Sequence, residues 1–170
     1  MASICEQCGL CCSGSVFAWV PAQAEEIERL RALGFPLEQR GETTVFPLGC
    51  TMLDGTLCRV YPDRPATCRA FRCEVLRKVD RGDLSEQDAL DLIGQAKALL
   101  ARVEALLDAG EDLATARALW RQHLAADQPR RAVAGDPPRV QQLLLHMTAL
   151  NLFLDRHFRT DKQQFTMVGD

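Results

Sequence analysis

The sequence predicts a mainly α-helical protein with a small irregular and β-hairpin cysteine-rich part at its start and a helical bundle at its end. Three observations carry this. All eight cysteines of the 170 residues fall at or before Cys73. From about residue 83 the texture turns to Ala, Leu, Glu and Arg, with apolar residues at helical spacing. Between the two lies a short stretch of β-branched and turn residues. The chain therefore divides into a cysteine-cluster metal-binding region, 1–82, and a helical extension, 83–170, packed on it, or forms one domain overall.

Composition bounds the function. Apolar residues make up 47% and charged residues 25%, an ordinary globular mixture. No apolar run is long enough to span a bilayer, so no membrane role is expected. The net charge of −3 gives no global basic field for nucleic acid. The start, MASICEQCGL, lacks a basic segment followed by an apolar one, so a cytoplasmic address is expected. In a reducing compartment, dense cysteine points to metal ligation or redox chemistry rather than to disulfides.

Element by element, residues 1–15 read as irregular, with Gly9 and Gly14 supplying turns and the sulfurs the cohesion. Ile27, Leu30 and Leu33 make a short amphipathic helix over 22–33, ended by Gly34 and Pro36. Residues 43–46 and 57–60 read as two arms of a hairpin turning at Asp54 and Gly55, one carrying Cys50 and the other Cys58. Pro65 suits the start of a helix continuing to about Asp80.

Ser85 and Asp88 resemble a capping box, followed by the stripe Leu90, Ile93, Leu100, Val103 and Leu107. A second helix is expected from about Asp112 to Ala126. After the loop QPRRAVAGDPPR, Asp136 and Pro137 open a third, striped by Val140, Leu144, Met147, Leu154 and Phe158. The stripes are read as a packed bundle, which also offers a face to a protein partner.

The chemistry is in the sulfurs. Cys5, Cys8, Cys11 and Cys12 open the chain as C-x2-C-x2-C-C, and Cys50, Cys58, Cys68 and Cys73 follow. Two residues between ligands let the backbone curl around a metal and turn N–H groups toward the sulfurs. Eight thiols suffice for two four-thiolate sites, but they divide into two fours in many ways and spacing does not choose. Adjacent Cys11 and Cys12 tend to point apart, so they bridge two centres or one of them is a spectator or redox-active thiol. Tetrahedral sulfur suits both zinc and iron. The C-x2-C-x2-C triad favours an iron–sulfur cluster over zinc, because it presents three sulfurs to three corners of a cubane. The ferredoxin pattern's cysteine followed by proline is absent.

Residues 59–78 hold Arg59, Arg64, Arg69, Arg72, Arg77 and Lys78 against Asp63 and Glu74, six positive charges less two negative. Guanidinium groups beside thiolates stabilise them by charge and N–H donation. Arg64 and Arg69 are the candidate cofactor-binding residues, donating to sulfur, clamping an acidic neighbour or positioning an anionic substrate. His123, His146 and His157 fall in the helical part and are read as packing or surface. Phe17 and Trp19 either shield a cluster or fill a core, and Phe71 is read as core. No nucleophile elbow, P-loop or Rossmann glycine fingerprint occurs.

CEQCGLCC at 5–12, the lone Cys50 and CRVYPDRPATCRAFRC at 58–73 together resemble the CxxCxxCC cysteine-cluster family, typified by YkgJ-like proteins. The resemblance covers roughly the first 80 residues. It implies chelation of zinc or iron by Cys5, Cys8, Cys11, Cys12, Cys50, Cys58, Cys68 and Cys73. A related cluster accompanies S-adenosylmethionine-dependent methyl transfer in flagellin lysine methylases, but no region here resembles a methylase domain. The expected function is a cysteine-ligated metal-binding protein. The alternatives are an iron–sulfur enzyme of methyl transfer or redox modification and a zinc-stapled interaction module.

Overall fold

A computed structural model describes residues 4–125 and 137–160. The chain divides into two compact units, 1–90 and 91–170.

The first unit opens with α1 (Ile4–Cys8), and β1 (Trp19–Pro21) follows. A 3-10 turn at Ala24–Glu26 leads into α2 (Ile27–Ala32), then come β2 (Glu38–Arg40) and β3 (Thr43–Pro47). β3 is the centre of a three-stranded antiparallel sheet in the order β1-β3-β2, with Val20 opposite Phe46 and Gln39 opposite Thr44. Val45 and Phe46 are both buried, as suits a strand paired on each side. Leu30, Phe35 and Phe46 form the core behind it, with the Phe35 and Phe46 rings edge to face at 5.1 Å.

The expected hairpin differs in its pairing. The run 43–46 takes β1 and β2 as partners, and the hairpin about Gly55 is the smaller β4 (Leu53–Asp54) with β5 (Leu57–Cys58). Cys58 is on an arm of it, while Cys50 precedes it. The reason is burial: two adjacent apolar side chains in β3 need a sheet around them, which a lone hairpin does not supply.

The helix expected from Pro65 to Asp80 is two helices, α3 (Ala66–Ala70) and α4 (Glu74–Asp80). Phe71 and Cys73 between them are extended, with ψ of 134° and 165°. Phe71 lies edge to face on Phe17 at 5.1 Å, a contact that accompanies the break.

α5 (Glu86–Glu104) is capped as anticipated: the Asp88 amide donates to Ser85 Oγ at 3.0 Å. The division between the units falls inside this helix. In the second unit, α6 (Leu113–Leu124) is capped by Asp112, which accepts from the Thr115 amide at 2.8 Å. α7 (Pro138–His157) packs on α6, burying Leu143, Leu144, Met147, Leu150 and Leu154. Trp120 Nε1 donates to Thr148 Oγ1 between these helices at 2.9 Å. Arg139 clasps the preceding loop through Asp108 and Glu111, each at 2.9 Å. The loop expected at 128–139 lies mostly outside the described residues.

Candidate metal centre

All eight cysteines lie in the first unit and all are free thiols. Cys5 and Cys8, three apart on α1, share one helical face. The chain then coils tightly: the Ser13 amide donates to the Gly9 carbonyl at 2.9 Å and the Gly14 amide to the Cys11 carbonyl at 3.1 Å. Gly14 has φ +84°, and a Cβ there would meet the Gly49 nitrogen at 2.9 Å and the Leu48 carbonyl carbon at 3.0 Å. Only glycine lets this coil lie against 48–49. That approach lets the Cys50 amide donate to the Cys12 carbonyl at 2.8 Å, joining residues far apart in sequence.

From Cys50 the backbone links run on. The Leu53 amide donates to the Cys50 carbonyl at 3.0 Å, and Leu53 stands opposite Cys58 across the small hairpin. Cys50 and Cys68 both pack against the Leu30, Phe35 and Phe46 cluster. Cys73 takes the N-cap position of α4, beyond the break that separates it from Cys68.

Burial and mutual repulsion act together on the thiols. Burial, then Cys50 and Cys58, push the Cys12 thiol up to about 12. Burial, then Cys12, Cys50 and Cys58, push Cys68 to about 12 as well. Cys11 is raised by burial, then by Cys73, Cys8 and Cys5, with adjacent Cys12 last. Burial also raises Cys73, with Cys5 adding to it and the amides of Leu76 and Val75 opposing. A crowd of thiols that resists ionisation in this way is the donor set a soft cation relieves, because the metal supplies the missing positive charge. Among the described residues no group of three or more Cys, His, Asp or Glu stands close enough to hold a single ion as the chain lies.

The arginines divide their tasks. Arg64 lowers both Cys5 and Cys68, working against burial at each. Its guanidinium lies over the Tyr61 ring at 3.9 Å, and its Nε is buried without a hydrogen-bond partner. A buried N–H donor left over beside thiols fits an anionic thiolate centre. Arg72 acts on Cys5 and Arg59 on Cys50. Arg69 stands 3.8 Å from Glu26, the acidic neighbour it clamps.

Glu26 is the residue that sequence reasoning missed. It is buried and accepts the Ala66 amide at the start of α3, the helix that carries Cys68. Its sequence signal was faint, one glutamate of the pair Glu25–Glu26. The histidines belong to the second unit: His123 Nδ1 is 2.8 Å from the Leu119 carbonyl, and the His157 ring lies 4.6 Å from Phe153.

A family model, CxxCxxCC, whose description is "putative zinc- or iron-chelating domain", matches residues 4–90, more than half of the chain. This chain belongs to the CxxCxxCC family. The CxxCxxCC match takes in all eight cysteines, Glu26 and the arginine-rich stretch, and it ends inside α5. Neither a curated protein nor a solved structure matches the chain.

Proposed function

We propose that this chain is a cysteine-ligated metal protein whose first unit holds an iron–sulfur centre in preference to zinc. The observation that carries chelation is the crowd of eight free thiols set among arginines within one 90-residue unit, with Cys11, Cys12 and Cys68 raised by burial and by neighbouring thiols. The preference for iron–sulfur rests on the C-x2-C-x2-C triad. The buried, unpartnered Arg64 Nε supports an anionic centre of either kind. All eight cysteines are assigned as ligands, with Arg64 donating to thiolate sulfur and Arg69 holding Glu26 beside the Cys68 helix. A bound cluster would supply electron transfer or a structural brace; the chain's own part is to gather the sulfurs and neutralise their charge.

The test is anaerobic purification followed by visible absorption and quantification of iron, zinc and acid-labile sulfide per chain. A brown protein with iron and sulfide is expected. A colourless protein carrying zinc would overturn the iron assignment and leave chelation standing. Protein isolated without metal, and unable to take up iron or zinc, would overturn both.

A further inference from the structure

We propose that Arg69, Arg72 and Arg77 form a docking strip for an acidic segment of a partner protein, whose carboxylates take up the guanidinium donors that this chain leaves open there. This goes beyond the metal-protein reading and does not depend on which metal the first unit holds.

The strip is ordered by the backbone it covers. Arg72 Nη1 donates to the Arg69 and Phe71 carbonyls, each at 3.1 Å, and Arg77 Nε donates to the Arg72 carbonyl at 3.1 Å. The Arg72 and Arg77 guanidinium groups are thereby fixed along one segment, 69–72, with donors to spare. Arg69, Arg72 and Arg77 are all exposed, and so is the small Ala70 between the first two, which leaves room for a chain to lie along the strip. Side chains ordered in advance lower the entropy that a partner must overcome to bind them.

Nearby acids do not neutralise these arginines. Glu74 and Asp83 both go to Arg81, at 3.3 and 2.8 Å. Asp80 stands 3.8 Å from Arg72 and Glu26 stands 3.8 Å from Arg69, both beyond hydrogen-bond distance. Glu26 is in any case occupied by Arg29 at 2.6 Å and by the Ala66 amide. Among the described residues no carboxylate pairs with Arg77 or with Lys78 beside it. Residues 69–78 therefore present Arg69, Arg72, Arg77 and Lys78 against Glu74 alone, and Arg81 already takes Glu74.

The guanidinium fork matches a carboxylate through two parallel hydrogen bonds, and arginine is enriched among the residues that anchor interfaces. A protein carboxylate suits the strip better than a nucleic acid does. The basic stretch is short and the chain carries a net charge of −3, whereas nucleic acid calls for an extended basic field. Cys73 lies within the same stretch, so a partner seated here docks beside the cysteine-rich part of the unit.

The experiment uses the full-length protein as purified anaerobically and a fluorescein-labelled oligoglutamate peptide, read by fluorescence anisotropy, with metal per chain measured on every sample. Binding is expected at low salt and should weaken as salt is added. Arg72→Gln and Arg77→Gln should each weaken it by about fivefold or more. Arg31→Gln removes an equally exposed charge from α2 and should leave binding unchanged. Equal weakening in Arg31→Gln, no binding at low salt, or tighter binding of a labelled oligothymidylate than of oligoglutamate overturns the proposal.

Should a variant fail to fold, wild-type protein answers the same question. The chain has three lysines, Lys78, Lys97 and Lys162, and only Lys78 lies in the strip's own stretch of chain. A water-soluble carbodiimide joins a carboxylate to a lysine amine in contact with it, so it should couple the oligoglutamate to Lys78. Coupling spread over all three lysines, or absent from Lys78, overturns the strip. Protein that holds no metal yet couples the peptide at Lys78 overturns the metal reading instead and leaves the strip standing.

Discussion

Glu26 receives the Ala66 amide on both carboxylate oxygens, at 3.1 and 2.9 Å, and so joins the turn before α2 to the first residue of α3. Arg29 pairs with the same carboxylate at 2.6 Å, and Thr67 Oγ1 donates to the Pro21 carbonyl at 2.9 Å beside it. The helix carrying Cys68 is thus anchored to the sheet side of the unit by polar contacts as well as by core packing. Glu26→Ala leaves the Ala66 amide unpaired in a partly buried place, a loss of about 1 kcal/mol. The expected outcome is a lower urea midpoint for the variant and weaker metal retention. Wild-type values for both would remove Glu26 from the site's support.

The stability of the metal-free chain should decline at both ends of the pH scale. Burial alone would raise the Glu26 carboxyl, but the Ala66 amide and Arg29 outweigh it and hold it below 4.5. A depressed acid contributes stability that is present above its unfolded value and lost as pH falls through the folded one. The thiols work in the opposite sense. Cys12 and Cys68, raised from 9.0 to about 12, contribute stability that is whole below pH 9.0 and lost as pH climbs toward 12. Urea midpoints measured in pH steps should fall on the acid side through Glu26 and on the alkaline side through these thiols. Cys12→Ala/Cys68→Ala should flatten the alkaline limb, and an equally steep limb in that variant would contradict the assignment.

Local signals in the sequence were legible wherever one turn of chain contains both partners. Ser85 with Asp88 caps α5, and the helix stripes Ile93–Leu100–Val103 and Leu144–Met147–Leu154 are buried. The cysteine cluster was legible too, because its spacing is itself the signal. What could not be read depends on residues distant in the chain. The run 43–46 suits a strand whichever partner it takes, and its choice of β1 and β2 is set by burying Val45 and Phe46 together. The break at Phe71 is accompanied by packing on a ring 54 positions earlier, Phe17. Glu26 looked like any glutamate on a helix surface until Ala66 and Arg69 were placed beside it.

Gly14→Ala tests whether the coil after α1 must touch 48–49. The substitution meets two penalties at once, a left-handed φ of +84° and backbone atoms of Leu48 and Gly49 at 3.1 Å or less from the new Cβ. The conformational penalty alone is about 1–2 kcal/mol. Because neither contact is with a movable side chain end, the coil must lift and carry Cys12 away from Cys50. Metal per chain should fall together with the thermal midpoint. A variant with full metal content would show that the Cys12–Cys50 link is dispensable.

Metal removal should be felt locally. Residues 4–16 are held by a five-residue helix, a coil and the sulfurs, and a helix so short is not stable by itself. The second unit has its own buried core on α6 and α7. Hydrogen exchange of chelator-treated protein should therefore accelerate at 4–16 and around 50–58, while the amides of α7 keep their protection. Loss of α7 protection to the same degree would mean that the metal supports the second unit directly.

Arg64 offers the sharpest test of electrostatic support for the centre. Its guanidinium face covers Tyr61 at 3.9 Å, its Nε is buried without a partner, and its charge lowers thiols in both cysteine groups. Arg64→Lys keeps the charge but removes the planar face and the Nε donor. If the Nε–H is reserved for a thiolate, metal affinity should fall by roughly tenfold to a hundredfold, as for other outer-sphere donors to metal ligands. Arg64→Gln should be weaker again because the charge is gone as well. Competition against a chromogenic chelator measures all three proteins on one scale, and hydrogen exchange of α7 checks that the rest of the chain is undisturbed. Equal affinity in Arg64→Lys and wild type would show that charge alone matters; equal affinity in all three would show that Arg64 serves only to stack on Tyr61.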